Sequence, residues 1–371
     1  MPARLRSMLF APANRPDLVA KTPRSGPDAV VIDLEDGTPP AAKVSARGQA
    51  AAAAASLRAG ASAAEPAAST SAASAASASA SAASASARTG YSGYILLRVN
   101  SPRATDLFDD DLRAYASGPF DGLVVPKTET AAQVSDIEAR LSSLGVADRV
   151  IVWGIESVRG VVEAVPALGA SERGLAAYFG AEDYIAYLGG RRTELGEETY
   201  SARTAVAQAC RLAGLIAIDQ VVTALTDAAR FEADAQFALN VGFGGKMCVH
   251  PAQVATCHAL FTPSPEAVDR ARRLLDCYDA ALAEGRATAN FEGQMIDGPL
   301  VAQARQVLDR AGETRGSSEG ARKLARVVSG STGSSRRYLP PTTRALPGCE
   351  GSRPQSHQKV QPVFDRTYSA A

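Results

Sequence analysis

The sequence predicts a closed (β/α)8 barrel, a fold of the α/β class, and three observations predict it. Short apolar, β-branched runs alternate with helical patterns, eight such units can be counted, and polar residues gather just after the runs. Strand–helix alternation implies parallel strands joined by crossovers, and eight units favour closure over an open doubly wound sheet. The runs are Ser7–Pro12, Ala29–Leu34, Tyr94–Val99, Gly122–Val125, Val150–Gly154, Leu175–Phe179, Leu215–Ile218 and Gly245–Val249, the last two being the weakest as strands. Helical periodicity is clearest over Ala131–Leu144, Tyr200–Ala213, Thr226–Leu239 and Pro265–Ala283.

Two stretches break this pattern. Residues 50–88 are almost only Ala and Ser, with no large aliphatic residue after Leu57. Such a stretch buries too little apolar surface to offset the entropy of ordering its backbone. Its first half extends a preceding helix, because Ala is the best helix former, and its Ser-rich half reads as a solvated surface insertion. The insertion falls in the second crossover of a barrel expected over 1–49 and 89–262, where lengthening costs little. The tail, 314–371, is rich in Gly, Ser, Arg and Pro and is expected to be disordered.

Bulk composition excludes some classes of function. Hydrophobic residues make up 46% and charged residues 21%, a soluble globular composition. Lys plus Arg and Asp plus Glu both number 39, so no basic surplus speaks for nucleic acid. The five cysteines (Cys210, Cys248, Cys257, Cys277 and Cys349) form no CxxC pair, which points to reduced thiols and a cytoplasmic protein. The apolar stretch Met8–Ala11 is too short for a signal segment, and Arg58, Glu65, Pro66 and many serines interrupt the Ala-rich run. No membrane span is expected.

In a barrel of this kind, residues just after each strand face one mouth. Read in order they are Asn14 and Arg15; Asp33, Glu35 and Asp36; Arg98 and Asn100; Lys127; Glu156; Glu182 and Asp183; Asp219; and His250. Glu156 and Asp183 follow consecutive strands, and two carboxylates plus waters suit Mg²⁺. His250 has no HxH or HxxxH partner, which argues against zinc. Arg98 can hold a carboxylate or a developing enolate beside a metal; it can equally pair with Asp33 and Glu35, and the two roles are compatible. Asp33, Glu35 and Asp36 either hold metal-bound waters or pair with Arg98 and Lys127. Gly242–Lys246 lacks the P-loop spacing and its Ser/Thr. Trp153, His258 and Cys248 read as packing groups.

Seven blocks in order carry a resemblance. They are Arg6–Pro16 with Asp28–Asp36, Leu97–Asn100, Val125–Lys127, Gly154–Ser157, Gly180–Asp183, Gly242–Gln253 and Gly293–Pro299. Together they resemble the citrate lyase β-subunit-like CoA ester lyases of the HpcH/HpaI aldolase superfamily, over roughly residues 5–312. The resemblance implies a Mg²⁺-dependent carbon–carbon lyase with a C-terminal helical lid, here 263–313, assembled as a homotrimer or a hexamer. Glu156 and Asp183 match its metal ligands, with Glu156 also at the substrate. Arg98 matches its catalytic and substrate-binding arginine, Glu35 a candidate catalytic carboxylate, and Asp297 an acid on the lid that completes a neighbour's site. Arg15 and Lys21 lie where the family binds the CoA phosphates. The implied substrate is a malyl-, citramalyl- or β-methylmalyl-CoA thioester. The same site could serve a thioester hydrolase, an aldolase on free pyruvate-type substrates, or a carrier-dependent subunit of a citrate lyase complex. The Ala/Ser insertion and the long tail depart from the family pattern.

Overall fold

Eight parallel strands close on themselves in sequence order, each hydrogen-bonded to the next and the last to the first. The computed structural model describes residues 4–60 and 90–312. The expectations for the tail and for most of the Ala/Ser insertion lie outside the described residues. The strands are β1 (Ser7–Pro12), β2 (Ala29–Asp33), β3 (Tyr94–Arg98), β4 (Gly122–Val125), β5 (Val150–Ile155), β6 (Gly174–Phe179), β7 (Ile216–Asp219) and β8 (Gly245–Cys248). All eight expected runs are strands, displaced by a residue at most at either end. Between them lie α1 (Pro16–Val19), α2 (Lys43–Ala59), α3 (Thr105–Ser117), α4 (Ala131–Ser143), α5 (Val158–Val162), α6 (Ala164–Gly169), α7 (Ala181–Leu188), α8 (Tyr200–Ala213), α9 (Ala228–Asn240) and α10 (Ala252–Phe261). Among the described residues no helix is long and apolar enough to cross a membrane.

Side chains leave a strand alternately to its two faces, and in a barrel both faces are covered. One apolar cluster takes Met8, Val31, Leu96, Val124, Val152, Ala176, Ile218 and Met247, one or more from every strand, and fills the barrel interior. A larger cluster takes the other parity, such as Leu9, Ile32, Leu97, Trp153 and Cys248, and packs it against the helices. The Ala-rich α2 ends at Gly60 and buries Ala46, Ala50, Ala54 and Leu57 in that layer. Its small side chains let the helix lie close to the barrel. Where the described chain resumes, the Tyr91 amide donates to the Leu57 carbonyl at 2.9 Å.

Parity corrects one site expectation. Asp219 follows the interior Ile218, so it points outward and is fully buried between β7, β8, α8 and α9. There Arg203 donates to it from Nε at 2.9 Å and Nη2 at 2.7 Å, and Lys246 Nζ lies 2.5 Å away. Asp234 of α9 completes the cluster, pairing with Arg203 at 2.9 Å and with Lys246. Two cations meet two carboxylates, so a charge that would be costly alone is neutralised within the wall. Asp219 is a structural residue, not a mouth residue.

The chain after α10 builds a small unit of its own. Helices α11 (Pro265–Ala283) and α12 (Gly298–Ala311) flank a two-stranded antiparallel ribbon, β9 (Ala289–Phe291) and β10 (Gln294–Ile296). Val268, Leu274, Phe291, Ile296, Val301 and Leu308 form its separate apolar core.

Removing one member of a buried ion network leaves another unpaired. Lys246→Met is expected to lower the unfolding free energy by about 3–5 kcal/mol, measured by urea denaturation. A loss below about 1 kcal/mol, the range of an exposed pair, would sink the view that this network is a stabilising element of the wall.

Candidate active site

The carboxyl-terminal mouth of the barrel holds a cavity of about 420 Å³. Asp33, Arg98, Glu156 and Tyr178 share the interior parity of the residues below them, and so turn into it. Asp183 arrives from the first turn of α7, directly after β6. A 620 Å³ depression elsewhere, lined by Arg24, Asp28, Leu57 and Tyr91, gathers no comparable set of charges.

Arg98 is the hub. Asp33 accepts from its Nε and Nη2, both at 2.7 Å, a bidentate fork that fixes the guanidinium plane. Its Nη1 lies 3.0 Å from Glu35 Oε2, and its carbon stands 5.2 Å from the centre of the Phe10 ring. Lys127 Nζ donates to Glu35 Oε1 at 2.7 Å and lies 3.2 Å from Asp183. Lys127 holds φ at 53°, a left-handed conformation that a non-glycine residue adopts at some cost. That turn carries its amine across the mouth from β4 to both carboxylates.

Burial decides the protonation behaviour. It would raise the Asp33 pKa, yet the Arg98 fork holds it below the usual carboxylate range. For Glu35 burial prevails over Arg98 and Lys127, and its pKa is raised. Glu156 is pushed up to about 8, by burial first and then by the Glu35 charge, with Arg98 opposing. Tyr178 donates a hydrogen bond to Glu156 Oε1.

These residues fit a divalent cation. Asp33, Glu35, Asp36, Glu156 and Asp183 set five carboxyl groups against two cations, Arg98 and Lys127, so the mouth holds an excess of acidic groups. The Glu156 and Asp183 carboxylates lie within hydrogen-bonding reach of each other, a contact that disfavours both being ionised unless a cation joins them. Glu35 Oε2 is buried with no hydrogen bond. Among the described residues no group of three or more His, Cys, Asp or Glu is placed to hold a metal. Two carboxylates completed by water and substrate oxygens is the pattern of Mg²⁺, not of zinc.

The charge is one-sided. The charged lining residues, Asp33, Asp36, Arg98, Glu156, Glu182 and Asp183, come from β2, β3, β5 and β6 or directly follow them, whereas β1, β7 and β8 and the residues just after them contribute Phe10, Pro12, Val221, Met247 and Val249. Glu35 and Lys127 pair with these charges but do not line the cavity. This corrects the expectation that almost every strand end delivers a polar group. Asn14 and His250 do not line the cavity, and Asn100 is buried with its amide donating to Asp111 at 2.7 Å. Arg15, three residues beyond β1, is exposed and forks onto Asp17 at 2.9 and 2.8 Å, and Lys21, after α1, is exposed; neither lines the cavity. Glu182 reaches the cavity rim and pairs with Arg192 at 2.9 Å. Asp297, the residue before α12, lies outside this cavity. The other end of that helix approaches the barrel's opposite end, where Gly312 sits against the Arg4 guanidinium. Cys248 is buried 3.5 Å from Cys257 in the helix layer, as a packing thiol.

A parallel barrel whose mouth sets a carboxylate pair beside a fixed guanidinium defines a class of enzyme that stabilises oxyanions with a cation and an arginine together. The chain belongs to the HpcH/HpaI aldolase/citrate lyase family, whose sequence profile matches residues 6–68 and 64–251. It is 41% identical over 309 residues to a citrate lyase subunit beta-like protein of Deinococcus radiodurans, covering 83% of this chain and 97% of that one. It is 28% identical to the L-malyl-CoA/beta-methylmalyl-CoA lyase of Cereibacter sphaeroides, over 82% and 94% of the two chains. The crystal structure of CitE from Mycobacterium tuberculosis in complex with magnesium, acetoacetate and coenzyme A is similar at 30% identity and a TM-score of 0.62, covering 84% of this chain and 99% of that one.

Arg98 sets the sign of a pH effect. With its folded pKa depressed, Asp33 contributes stability above about pH 4 that is lost as the pH falls through its folded value. Arg98→Gln leaves burial to act unopposed by that cation, so Asp33 should titrate above its unfolded value. Its contribution is then present below about pH 4 and lost as the pH rises. The melting-temperature gap between wild type and Arg98→Gln is expected to be widest near about pH 7 and to close toward about pH 4. A gap that does not vary with pH would contradict this account.

Proposed function

We propose that this protein is a Mg²⁺-dependent carbon–carbon lyase that splits a 3-hydroxyacyl-CoA thioester into a shorter acyl-CoA and a 2-oxo acid. The observation that supports it most is the Arg98 guanidinium, clamped by Asp33, facing the Glu156–Asp183 pair across one cavity. Family membership supports the bond type, and the solved relative with magnesium and coenzyme A supports the ligands.

Glu156 and Asp183 would hold the cation, which when bound polarises the oxygen of the 2-oxo acid portion. We place Glu35 as the acceptor of the hydroxyl proton, because its buried Oε2 accepts no hydrogen bond and is held by the Arg98 Nη1 charge at 3.0 Å. As the carbon–carbon bond breaks, its electron pair passes into the thioester fragment as an enolate. Arg98 receives that charge through Nη1, which Asp33 leaves unbonded and which stands 3.0 Å from Glu35 Oε2, so the oxyanion takes over that contact as Glu35 accepts the proton. The guanidinium is already fixed, so little reorganisation is needed at that moment. Asp297 returns a proton to the enolate carbon. Its position outside the cavity of its own chain supports delivery from the lid of a neighbouring copy, and hence a homo-oligomer. Arg15 and Lys21, exposed beyond β1, are the groups we assign to the CoA phosphates.

The apolar side of the mouth narrows the substrate. If the additional carboxylate of a citryl thioester faces Phe10, Val221, Met247 or Val249, its burial there without a partner is costly. An acyl chain bearing hydrogen or methyl there meets no such penalty.

A substrate panel tests the reading. Malyl-, citramalyl- and β-methylmalyl-CoA are expected to give an acyl-CoA and a 2-oxo acid with Mg²⁺ and nothing with EDTA, and at least one should exceed citryl-CoA by roughly tenfold in kcat/KM. Release of free coenzyme A with intact hydroxy acid would move the assignment to a hydrolase. Arg98→Gln should lower kcat about 10²–10³-fold, the effect of losing an oxyanion donor. Mixing Arg98→Gln with Asp297→Asn, each strongly impaired alone, should restore partial activity through sites that take an intact Arg98 from one variant and an intact Asp297 from the other. No recovery after verified subunit exchange would contradict a shared site.

A further inference from the structure

Tyr178 is the penultimate residue of the apolar strand β6, at the floor of the mouth cavity, and the mechanism above makes no use of it. Its hydroxyl donates to Glu156 Oε1 and is 1% exposed with its residue. We infer that Tyr178 is a positioning residue: it holds Glu156 by one carboxylate oxygen and thereby biases the site toward Mg²⁺ over larger divalent cations. This rests on the reading of Glu156 and Asp183 as metal ligands.

Two glycines make the arrangement possible. Gly154 of β5 is the register partner of Tyr178 on β6. A Cβ at Gly154 would stand 2.5 Å from Glu156 Oε1 and against the Tyr178 hydroxyl. A Cβ at Gly180 would stand 2.6 Å from Glu156 Cγ. Glu156 therefore lies in a slot shaped by the absence of two side chains and closed by one hydroxyl. A glutamate on an open surface rotates freely about three bonds and can offer either oxygen, or both. Here Oε1 is taken by Tyr178, and the Asp183 carboxylate stands within hydrogen-bonding reach of the same group. One oxygen remains to be offered.

That restriction has a chemical consequence. Mg²⁺ requires near-octahedral coordination at short range, whereas Ca²⁺ accepts six to eight oxygens and readily takes both oxygens of one carboxylate. A carboxylate limited to one oxygen suits the smaller ion. Hydrogen bonds that orient a metal ligand typically change affinity 10–100-fold when removed.

The test measures binding, not turnover. The full-length protein, stripped with chelator, is titrated with Mn²⁺ while the free-ion paramagnetic resonance signal is followed, and Mg²⁺ and Ca²⁺ are then used as competitors. Wild type is expected to prefer Mg²⁺. Tyr178→Phe should weaken Mg²⁺ about tenfold or more and narrow the Mg²⁺-to-Ca²⁺ preference. Gly154→Ala, which crowds the same contact from β5, should shift the ratio in the same direction. If wild type binds Mn²⁺ at this site but both variants keep its Mg²⁺ affinity and its ratio within twofold, the positioning role is overturned while the ligand assignment stands. If wild type binds no divalent ion, the ligand assignment itself fails, and this inference with it.

Discussion

The need to neutralise charge buried at the mouth of a narrow barrel organises this protein. Asp33 and Glu35 are almost wholly inaccessible, and neither could stay ionised there without a cation. Arg98 meets both, from the strand next to β2, and Lys127 reaches in from the strand beyond. Each of these contacts fixes a rotamer, so the site is rigid before any ligand arrives. What the pairing leaves over is an excess of acidic groups, Glu156 and Asp183 beside the β5–β6 seam among them, and that excess is what a divalent ion would satisfy.

The same physics recurs a layer further out. Arg203, Asp219, Lys246 and Asp234 neutralise one another between wall and helices, with Asp219 and both cations fully buried. The two networks look alike in composition but differ in access. The inner one borders a cavity and keeps Glu35 Oε2 without a hydrogen bond; the outer one encloses its charges in packed side chains. Chemistry is available to the first, and only stability to the second.

The fold was legible because barrel strands buried on both faces read as continuous apolar runs, and the helices between them carry strong periodicity. That continuity also hid which residues face inward. Asp33 and Arg98 end their strands, and Glu156 follows its own, on the interior parity, Asp219 ends its strand on the exterior one, and nothing in runs of Val, Ile and Ala distinguishes the two. The complementary charges Arg203, Asp234 and Lys246, set within helices and a strand, were the available signal for Asp219. Tyr178 reads as a core aromatic from its strand, and only its pairing with Gly154 shows that its hydroxyl has room to reach Glu156. The left-handed backbone of Lys127 has no counterpart in the sequence, since Val-Pro-Lys-Thr could turn in several ways. The positions of Arg15, Lys21 and Asp297 rest on the resemblance, because their work is done on exposed surface or between copies.

The hydrogen bond from Tyr91 to Leu57 joins the point where the chain leaves the barrel to the point where it returns. Both lie at the entrance to β3, at the end of the barrel away from the mouth. A gateway of that kind is indifferent to what is threaded through it: the cost of a longer excursion grows only with the logarithm of its length. Sequence can accumulate, drift or be exchanged there without passing through the catalytic end. The repetitive Ala/Ser tract thus joins the barrel at the end away from the carboxylates of the mouth.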